Sequence, residues 1–511
     1  MIHLMDDSSI TKKMGIGAVW MVFLRLCVRL LSIISLFIMA RLLVPEDYGI
    51  VALAMSFYAI LDVITTFNFD LPLIQNQHAT KEDYNTAWSL NILMGLFIAI
   101  GLLIGSHPMA ALFNEPQLTS IFPCLAVMAI LQGFTNIGIV NFRKELKLKK
   151  EFHFEFSKKI LSFIVTVTAG VLLKSYWALI LGMITNSLAG LLLSFIMSDY
   201  RPSLSLKSWR SLLNFSKWML FTNILGFTNN RLMMLIVGSS LNTKVLGNYS
   251  MMKEVADITT VELVLPIQKA LFPGYSKLTN DRHQLAQVFL NSISMIAFFG
   301  VPIAVTLAIL NEYFVIILLS DKWLSESWML KIFCLSGAFS LVTGATFSIY
   351  YALAKPQIVT AILFIQGVIR VILFSYFITQ NQILEALLSI LATAIFGTLL
   401  SLVTSCRLLT LPILQLLWPL TRTVLAAICL TGCLLLLNAW FPLHDNFFIN
   451  LLTMSVMAII GLAIYSICHF SLWYFTYPLQ TASSASQPTG AEAIIIQLVK
   501  PKLSALKLKL S

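Results

Sequence analysis

The amino-acid sequence predicts an all-α polytopic membrane protein with about fourteen transmembrane helices. Composition is the first reason, because the 511 residues are 58% hydrophobic and only 11% charged, which lies outside the range of soluble globular chains. Segment length is the second. A helix needs about 20 apolar residues to cross roughly 30 Å of hydrocarbon. The chain contains fourteen segments of about that length.

The predicted spans follow one another with short connections. They cover residues 14–43, 48–70, 86–106, 119–141, 158–176, 178–198, 216–239, 246–273, 287–319, 328–354, 357–379, 384–406, 418–438 and 447–473. Between the first and thirteenth spans, no non-cytoplasmic loop much exceeds about a dozen residues. This argues against a membrane glycosyltransferase or ligase, since such enzymes usually hold their acceptor in an external loop or domain.

Basic residues predict the orientation, because Lys and Arg in short loops stay on the cytoplasmic side. With the N-terminus inside, the runs 143–159 and 201–217 are cytoplasmic, and the opposite face keeps only Arg41, Lys174, Lys244 and Lys322. This asymmetry supports an even number of spans, since both termini must lie in the cytoplasm for the pattern to hold. The net charge of +11 therefore reflects topology, and no nucleic-acid partner is expected.

Motifs for nucleotide or metal chemistry are missing from the sequence. It contains no Gly-Lys dipeptide and hence no phosphate-binding loop of the G-x-x-x-x-G-K-[ST] type. The seven cysteines have no zinc-site spacing. We therefore expect no cofactor, no metal and no enzymatic activity. Energy would come from an ion gradient, the membrane potential or removal of product.

An internal repeat indicates two halves. The segment from Leu43 to Gly49 follows the first span, and the segment from Leu241 to Gly247 follows the seventh, with Leu and Gly at the same offset. Parallel repeats of this kind occur in transporters. The predicted organisation is a cytoplasmic N-terminus (1–13), an N-terminal six-helix lobe (14–198), a basic cytoplasmic linker (199–217), a C-terminal six-helix lobe (218–406), two extra helices (407–475) and a basic cytoplasmic tail (476–511).

Three stretches carry a resemblance to a known family. They are ARLLVPEDYG at 40–49, LGNYS at 246–250, and LVLP at 263–266 followed by ALFP at 270–273. With the basic N-terminus, they resemble the bacterial polysaccharide transporter family. These are the Wzx-type flippases of the multidrug, oligosaccharidyl-lipid and polysaccharide exporter superfamily. The similarity is strongest over residues 10–280, and the later spans agree in number and hydropathy.

The resemblance implies a fold and a function. The fold is two pseudo-symmetric six-helix lobes with a cavity between them. The function is alternating access for undecaprenyl-diphosphate-linked oligosaccharide in the bacterial cytoplasmic (inner) membrane. The implied partners are a polyprenyl-diphosphate-linked glycan and membrane lipids, with a polysaccharide polymerase and chain-length machinery as further candidates. The alternatives are a drug/cation antiporter of the same superfamily and a lipid II flippase.

The first span carries the most informative charges. Arg25, Arg29 and Ser32 follow an i, i+4, i+7 pattern on one helix face. Each Arg near mid-membrane costs about 2.5 to 3.5 kcal/mol on insertion scales, so the pair is expected to face a water-filled cavity. There its paired donors suit a diphosphate. The alternative is an ion pair with Asp62 of the second span or with an acid of the eighth.

Polar residues of the seventh span form a second candidate surface. Asn223, Phe227 and Asn230 share one face, with Arg231 adjacent. The aromatic ring could stack on a sugar. Asn side chains in membranes also join helices by hydrogen bonds, so lining and helix association both remain open.

The eighth and eleventh spans complete the predicted cavity. Lys253, Glu254, Asp257 and Glu262 lie within about half the circumference of the eighth helix. These residues could bind sugar hydroxyls or a cation. Alternatively, Lys253 and Asp257, which are four positions apart, could form an internal salt bridge. For Gln366 and Arg370 on the eleventh span, two roles remain open. They could line the cavity, or they could pair with an acid within their own lobe. Gln132 and Asn136 of the fourth span are expected to pack.

Overall fold

A computed structural model of the protein describes residues 23–24, 26–65, 67, 69–76, 78–145, 147–210 and 232–483. Across these ranges the chain is helical and contains no β-strand. Ten of the described helices are long and apolar enough to cross a membrane, and the number rises to 11 when one bent pair is taken as a single span. The prediction of an all-α polytopic membrane protein is confirmed.

Internal contacts divide the chain into two compact units, Met1–Ser250 and Met251–Ser511. The described helices of the first unit include α1 (26–42), α2 (Pro45–Thr65), α3 (Asp70–Gln75), α4 (Lys81–Phe113), α5 (Leu118–Gly133), α6 (Val140–Lys144), α7 (Leu148–Leu173), α8 (Trp177–Met197) and α9 (Leu232–Ser240). A 3₁₀ turn at Ile137–Ile139 precedes α6. The first part of α10 (Thr243–Lys277) also belongs to this unit.

The rest of α10 and the helices that follow it form the second unit. These are α11 (Arg282–Ile309), α12 (Asn311–Leu318), α13 (Trp328–Ala352), α14 (Pro356–Thr379), α15 (Ile383–Leu409), α16 (Ile413–Trp440) and α17 (Phe447–Ser483). Most predicted spans correspond to one of the described helices. The six-helix lobe boundaries stay a prediction.

Two spans that the sequence predicted as continuous are interrupted in the structure. The fourth is a bent pair, with an angle of 57° between Leu118–Gly133 and Ile137–Lys144. The ninth is divided into α11 and α12 near Leu310. Broken helices in transporters leave backbone and side-chain polar groups facing a cavity, so the first break bears directly on the site.

The two copies of the internal repeat pack against each other where α2 and α10 begin. A Cβ atom on Gly49 would lie 1.8 Å from the carbonyl oxygen of Thr243, and one on Gly247 would lie 1.7 Å from that of Pro45. Pro45 and Thr243 occupy matching positions of the repeat. Each glycine thus receives the backbone of the other copy, which explains why glycine recurs at this offset.

A charged pair accompanies this crossing. Glu46 Oε1 and Lys244 Nζ are 4.0 Å apart, and these residues also occupy matching positions of the repeat. Both side chains are about half exposed, so the pair contributes little to stability. The backbone contact of the glycines therefore dominates the crossing.

A segment after α8 is hydrogen-bonded to the start of α4. We call residues 198–208 the strap. Tyr200 donates through its hydroxyl to Asn85 Oδ1 at 2.7 Å, and Ser203 donates its backbone N–H to the same oxygen at 2.9 Å. Asn85 Nδ2 donates in turn to Ser203 Oγ at 2.7 Å. Burial raises the pKa of Tyr200 to about 12, so its hydroxyl keeps the proton that it donates.

Asn85→Leu is expected to release the strap, because it removes three hydrogen bonds centred on one buried amide. Each such bond contributes about 1 kcal/mol net. Limited trypsin digestion of the purified protein should then cleave after Lys207 at least 10-fold faster. Cleavage after Lys174, an exposed residue in the connection between α7 and α8, serves as the internal control and should not change. Equal cleavage after Lys207 in both proteins would contradict this role of Asn85.

Candidate substrate cavity

The first unit contains a cavity of about 380 Å³. Its walls come from α2, α4, α5, α6 and α7 and from the break between α5 and α6. The break is part of the wall because Thr135 and Asn136 line the cavity. A volume of this size is within the range of small-molecule sites, about 300 to 1,000 Å³.

Close packing of α4 on α5 shapes one wall. A Cβ atom on Gly133 would lie 2.8 Å from the carbonyl oxygen of Asn91, and one on Gly95 would lie 2.7 Å from that of Ala129. Small residues that let backbones approach are typical of helix contacts in membranes. Gly95, Asn91 and Gly133 all line the cavity.

A chain of polar side chains joins three helices at the cavity. Tyr58 of α2 donates its hydroxyl proton to Gln132 Oε1 at 2.8 Å. Gln132 Nε2 donates to Ser187 Oγ of α8 at 3.1 Å. Asp62 lies one turn beyond Tyr58 on α2 and also lines the cavity. Gln132 therefore packs, as the sequence predicted, and also contributes to the cavity wall.

Asn136 holds the break in the fourth span. It is fully buried, and its Nδ2 donates to the Tyr200 carbonyl oxygen at 2.7 Å. Its Oδ1 accepts the backbone N–H of Gly138 at 2.8 Å, and its own N–H donates to Ser194 Oγ at 2.9 Å. These bonds satisfy backbone groups that the interrupted helix leaves without helical partners.

Charged side chains cluster where α3, α6 and α7 meet. Arg143 Nε donates to Glu151 Oε1 at 2.5 Å, and Arg143 Nη1 is 3.5 Å from Asp70 Oδ2. Glu155 Oε2 is 3.0 Å from Lys158 Nζ. Glu151 is only 3% exposed, so its carboxylate depends on Arg143 for compensation.

The cavity lining is acidic overall. Among the residues that the structure describes, four carboxylates line it, against one guanidinium, that of Arg143. Of the predicted site residues that the structure describes, Asp62 is the one on this lining. The lining therefore differs in sign from the cation-lined cavity that the arginines of the first span predict.

Several predicted site residues lie outside the described part of the chain. These are Arg25, Asn223, Phe227, Asn230 and Arg231; Glu262 lies within α10, but its side chain is not described. Arg29 is described and is half-buried on α1. Its assignment to a substrate cavity stays a prediction.

Lys253 and Asp257 pair with each other on α10. Lys253 Nζ donates to Asp257 Oδ2 at 2.6 Å, the i, i+4 salt bridge that the spacing allowed. Their side chains are 21% and 38% exposed. The neighbouring Glu254 is exposed. The pair keeps opposite charges together on one face of this helix.

Gln366 and Arg370 join α14 to α15. Gln366 Nε2 donates to the Thr393 carbonyl oxygen at 3.0 Å, and Arg370 Nε donates to Thr393 Oγ1 at 3.1 Å. Gln366 is 8% exposed and packs where Gly397 leaves space for it. In the described structure, both residues thus contact a threonine of the neighbouring helix.

Sequence reasoning missed the buried acid of the cavity. Glu151 lies in a run of alternating bulky and charged residues, 143–159, which the sequence assigned to a polar loop. The structure makes most of this run helix, as α6 and the first turns of α7. Phe152 and Phe154 are also buried there. The two phenylalanines near Glu151 in the sequence were the signal that one face of this helix is buried.

A model of the family described as "Polysaccharide biosynthesis protein" matches residues 38–327, more than half of the chain. The chain belongs to this family. It is a Wzx-type member of the multidrug, oligosaccharidyl-lipid and polysaccharide exporter superfamily, as the sequence resemblance implied, and thus a transporter with multiple membrane spans.

Curated relatives of this family member are named for polysaccharide pathways. The chain is 24% identical to lipopolysaccharide biosynthesis protein WzxC of Escherichia coli (strain K12), over 68% of this chain and 72% of the relative. It is 22% identical to succinoglycan biosynthesis transport protein ExoT of Rhizobium meliloti (strain 1021), over 63% of this chain and 65% of the relative.

The fold of this family member is that of a solved lipid flippase. The lipid II flippase MurJ, in its inward closed conformation, superposes with a TM-score of 0.69 and 16% sequence identity. The match covers 91% of this chain and 99% of that one. At this identity the likeness shows the shared fold.

Proposed function

We propose that this protein is a flippase for undecaprenyl-diphosphate-linked oligosaccharide repeat units. It would carry them across the bacterial cytoplasmic membrane for assembly of O-antigen, capsule or exopolysaccharide. The observation that carries the proposal is the family match over residues 38–327. Both termini would be cytoplasmic, as the positive-inside pattern predicts.

The substrate explains why such a protein needs polar groups inside the membrane. Each glycan hydroxyl costs about 2 to 7 kcal/mol to remove from water without a new partner, and the diphosphate is charged. A polar cavity replaces the lost hydration, and alternating access lets the head group leave on the other side. The lipid tail can stay in the bilayer throughout.

The arginines of the first span are proposed to bind the diphosphate. Their guanidinium groups stay charged when partly desolvated and donate paired hydrogen bonds to phosphate oxygens. The acidic cavity of the first unit would repel that group. The two regions would therefore bind different parts of one substrate.

Deletion of the gene tests the proposed function. The expected result is accumulation of completed lipid-linked repeat units on the inner leaflet and loss of the surface polysaccharide. A second candidate function is a drug/cation antiporter, and the acidic lining of the cavity is the specific observation that favours it. In the deletion strain and its complemented parent, export of cationic dyes together with unchanged lipid-linked pools would support that candidate and contradict the flippase.

Substitution of the first-span arginines separates binding from structure. Arg25→Ala and Arg29→Ala should each reduce complementation of the deletion strain at least 10-fold, whereas the Lys variants should retain part of the activity because they keep the charge. Membrane abundance of each variant is the control for insertion. Normal complementation by both Ala variants would contradict the diphosphate role.

A further inference from the structure

The geometry points to the cavity of the first unit as a subsite for a neutral sugar of the lipid-linked glycan. This inference rests on the proposed function and adds a chemical preference to it. Three features carry it: an acceptor oxygen that lacks a donor, aromatic walls, and the sign of the charge.

The acceptor is Glu151 Oε2. Glu151 is 3% exposed and lines the cavity, and its Oε1 accepts from Arg143 Nε. Among the described residues, Oε2 is buried and has no hydrogen-bond partner. A carboxylate oxygen only accepts hydrogen bonds, and a buried acceptor without a donor is costly. Because this oxygen has almost no accessible surface, the Glu151 side chain must turn slightly toward the cavity before a sugar hydroxyl can supply the missing donor.

Aromatic side chains supply the second feature. Phe67 and Phe69 are stacked with ring centroids 5.5 Å apart. Phe142 and Phe154 are buried, and all four line the same cavity. A pyranose presents C–H groups on its faces and hydroxyls around its edge. Aromatic walls with a few convergent polar groups match that distribution.

The charge of the lining decides between sugars. In the described part of the lining, four carboxylates against one guanidinium repel a uronic acid, a pyruvylated sugar or the diphosphate itself. Among the described residues, even when Asp62 is left out, three carboxylates share two cations, those of Arg143 and Lys158, so the lining stays negative. A neutral hydroxylated ring avoids this repulsion and still donates hydrogen bonds.

An inorganic cation fits the cavity less well. It would have to share Glu151 with the Arg143 guanidinium, 2.5 Å from the other carboxylate oxygen, and like charges repel there. The volume of about 380 Å³ is also about thirteen times the roughly 30 Å³ that one water molecule occupies in the liquid. These two facts favour a ring-sized neutral ligand.

The experiment measures binding of the full-length protein to three defined lipids by native mass spectrometry. The probes are undecaprenyl diphosphate without sugar, the same lipid carrying a neutral dihexose, and the same lipid carrying a hexose–uronic acid disaccharide. We expect the wild-type protein to bind the dihexose lipid about 10-fold tighter than the sugar-free lipid. The uronic acid should remove most of that gain.

Two cavity variants and one control complete the test. Glu151→Gln and Asn91→Leu should lose the gain for dihexose while they keep the affinity for sugar-free lipid. Asn91 lines the cavity and is not a member of the ion pair, so it covers the case in which Glu151→Gln does not fold. Glu145→Gln, at an exposed acid paired with Lys147, should behave as wild type.

The outcomes separate the subsite from the flippase function. Equal wild-type affinity for the sugar-free and dihexose lipids would overturn the subsite, as would tighter binding of the uronic acid lipid. An unchanged gain in folded cavity variants would also overturn it. Each of these leaves the flippase function standing if diphosphate lipids bind. Failure of all three lipids to bind would overturn the flippase proposal and the subsite together.

Discussion

Gly49→Ala and Gly247→Ala are each expected to destabilise the purified protein by about 3 kcal/mol, the upper end of the usual cost of overpacking a tight contact. The added Cβ atoms would lie 1.8 Å and 1.7 Å from backbone carbonyl oxygens. Backbone atoms cannot rotate away as side chains do. The starts of α2 and α10 must therefore separate, which loosens the contact between the two copies of the repeat. Chemical denaturation in detergent measures the effect.

A matched control uses a glycine with free space. Gly432 lies in α16, and a Cβ atom there would meet nothing within 4 Å. Gly432→Ala should leave the stability unchanged or raise it by up to about 1 kcal/mol, the usual helix preference for Ala. If Gly49→Ala and Gly247→Ala are as stable as Gly432→Ala, the close crossing does not exist as described.

Arg143→Ala is expected to destabilise the first unit by about 2 to 3 kcal/mol. Removing one partner of a buried pair costs about 3 to 5 kcal/mol, because the other charge is left uncompensated. The Arg143 side chain is 49% exposed while that of Glu151 is 5% exposed. Because solvent reaches the arginine, we expect the loss of stability to be smaller than that of a fully buried pair.

Two comparisons show that the buried charge causes the loss. Lys147→Ala removes the partner of Glu145 from an ion pair that is about half exposed on both sides, so it should change the stability by less than about 1 kcal/mol. Replacing both partners, Arg143→Met with Glu151→Met, should recover most of the stability, because no unpaired charge remains. A double variant as unstable as Arg143→Ala would contradict this explanation.

The fold followed from the sequence because span length and hydropathy are strong signals. The eleventh span was expected at 357–379 and α14 covers Pro356–Thr379. The salt bridge of Lys253 with Asp257 was available from spacing alone, since residues four apart share a helix face. Such features depend on local periodicity, which a single sequence contains.

The cavity could not be predicted in the same way, because its residues are far apart in the chain. Tyr58 and Gln132 are 74 positions apart and meet only in the folded unit. The break at Asn136 depends on the Tyr200 carbonyl oxygen, 64 positions away. Hydropathy also placed Glu151 in a surface loop, because the basic segment around it has the composition of such a loop although its carboxylate is buried. The repeat of Gly49 and Gly247 was visible, but its close backbone contact was not.

Reconstitution of the purified protein into lipid vesicles tests the central claim most directly. The vesicles would contain undecaprenyl diphosphate linked to a fluorescently labelled oligosaccharide, with the label quenched from outside by a membrane-impermeant reductant. We predict that the reductant quenches the inner-leaflet label only in vesicles that contain the protein, because the protein brings that label to the outer surface. If the inner-leaflet label stays protected in sealed vesicles that contain folded protein, the protein is not a flippase for lipid-linked glycans.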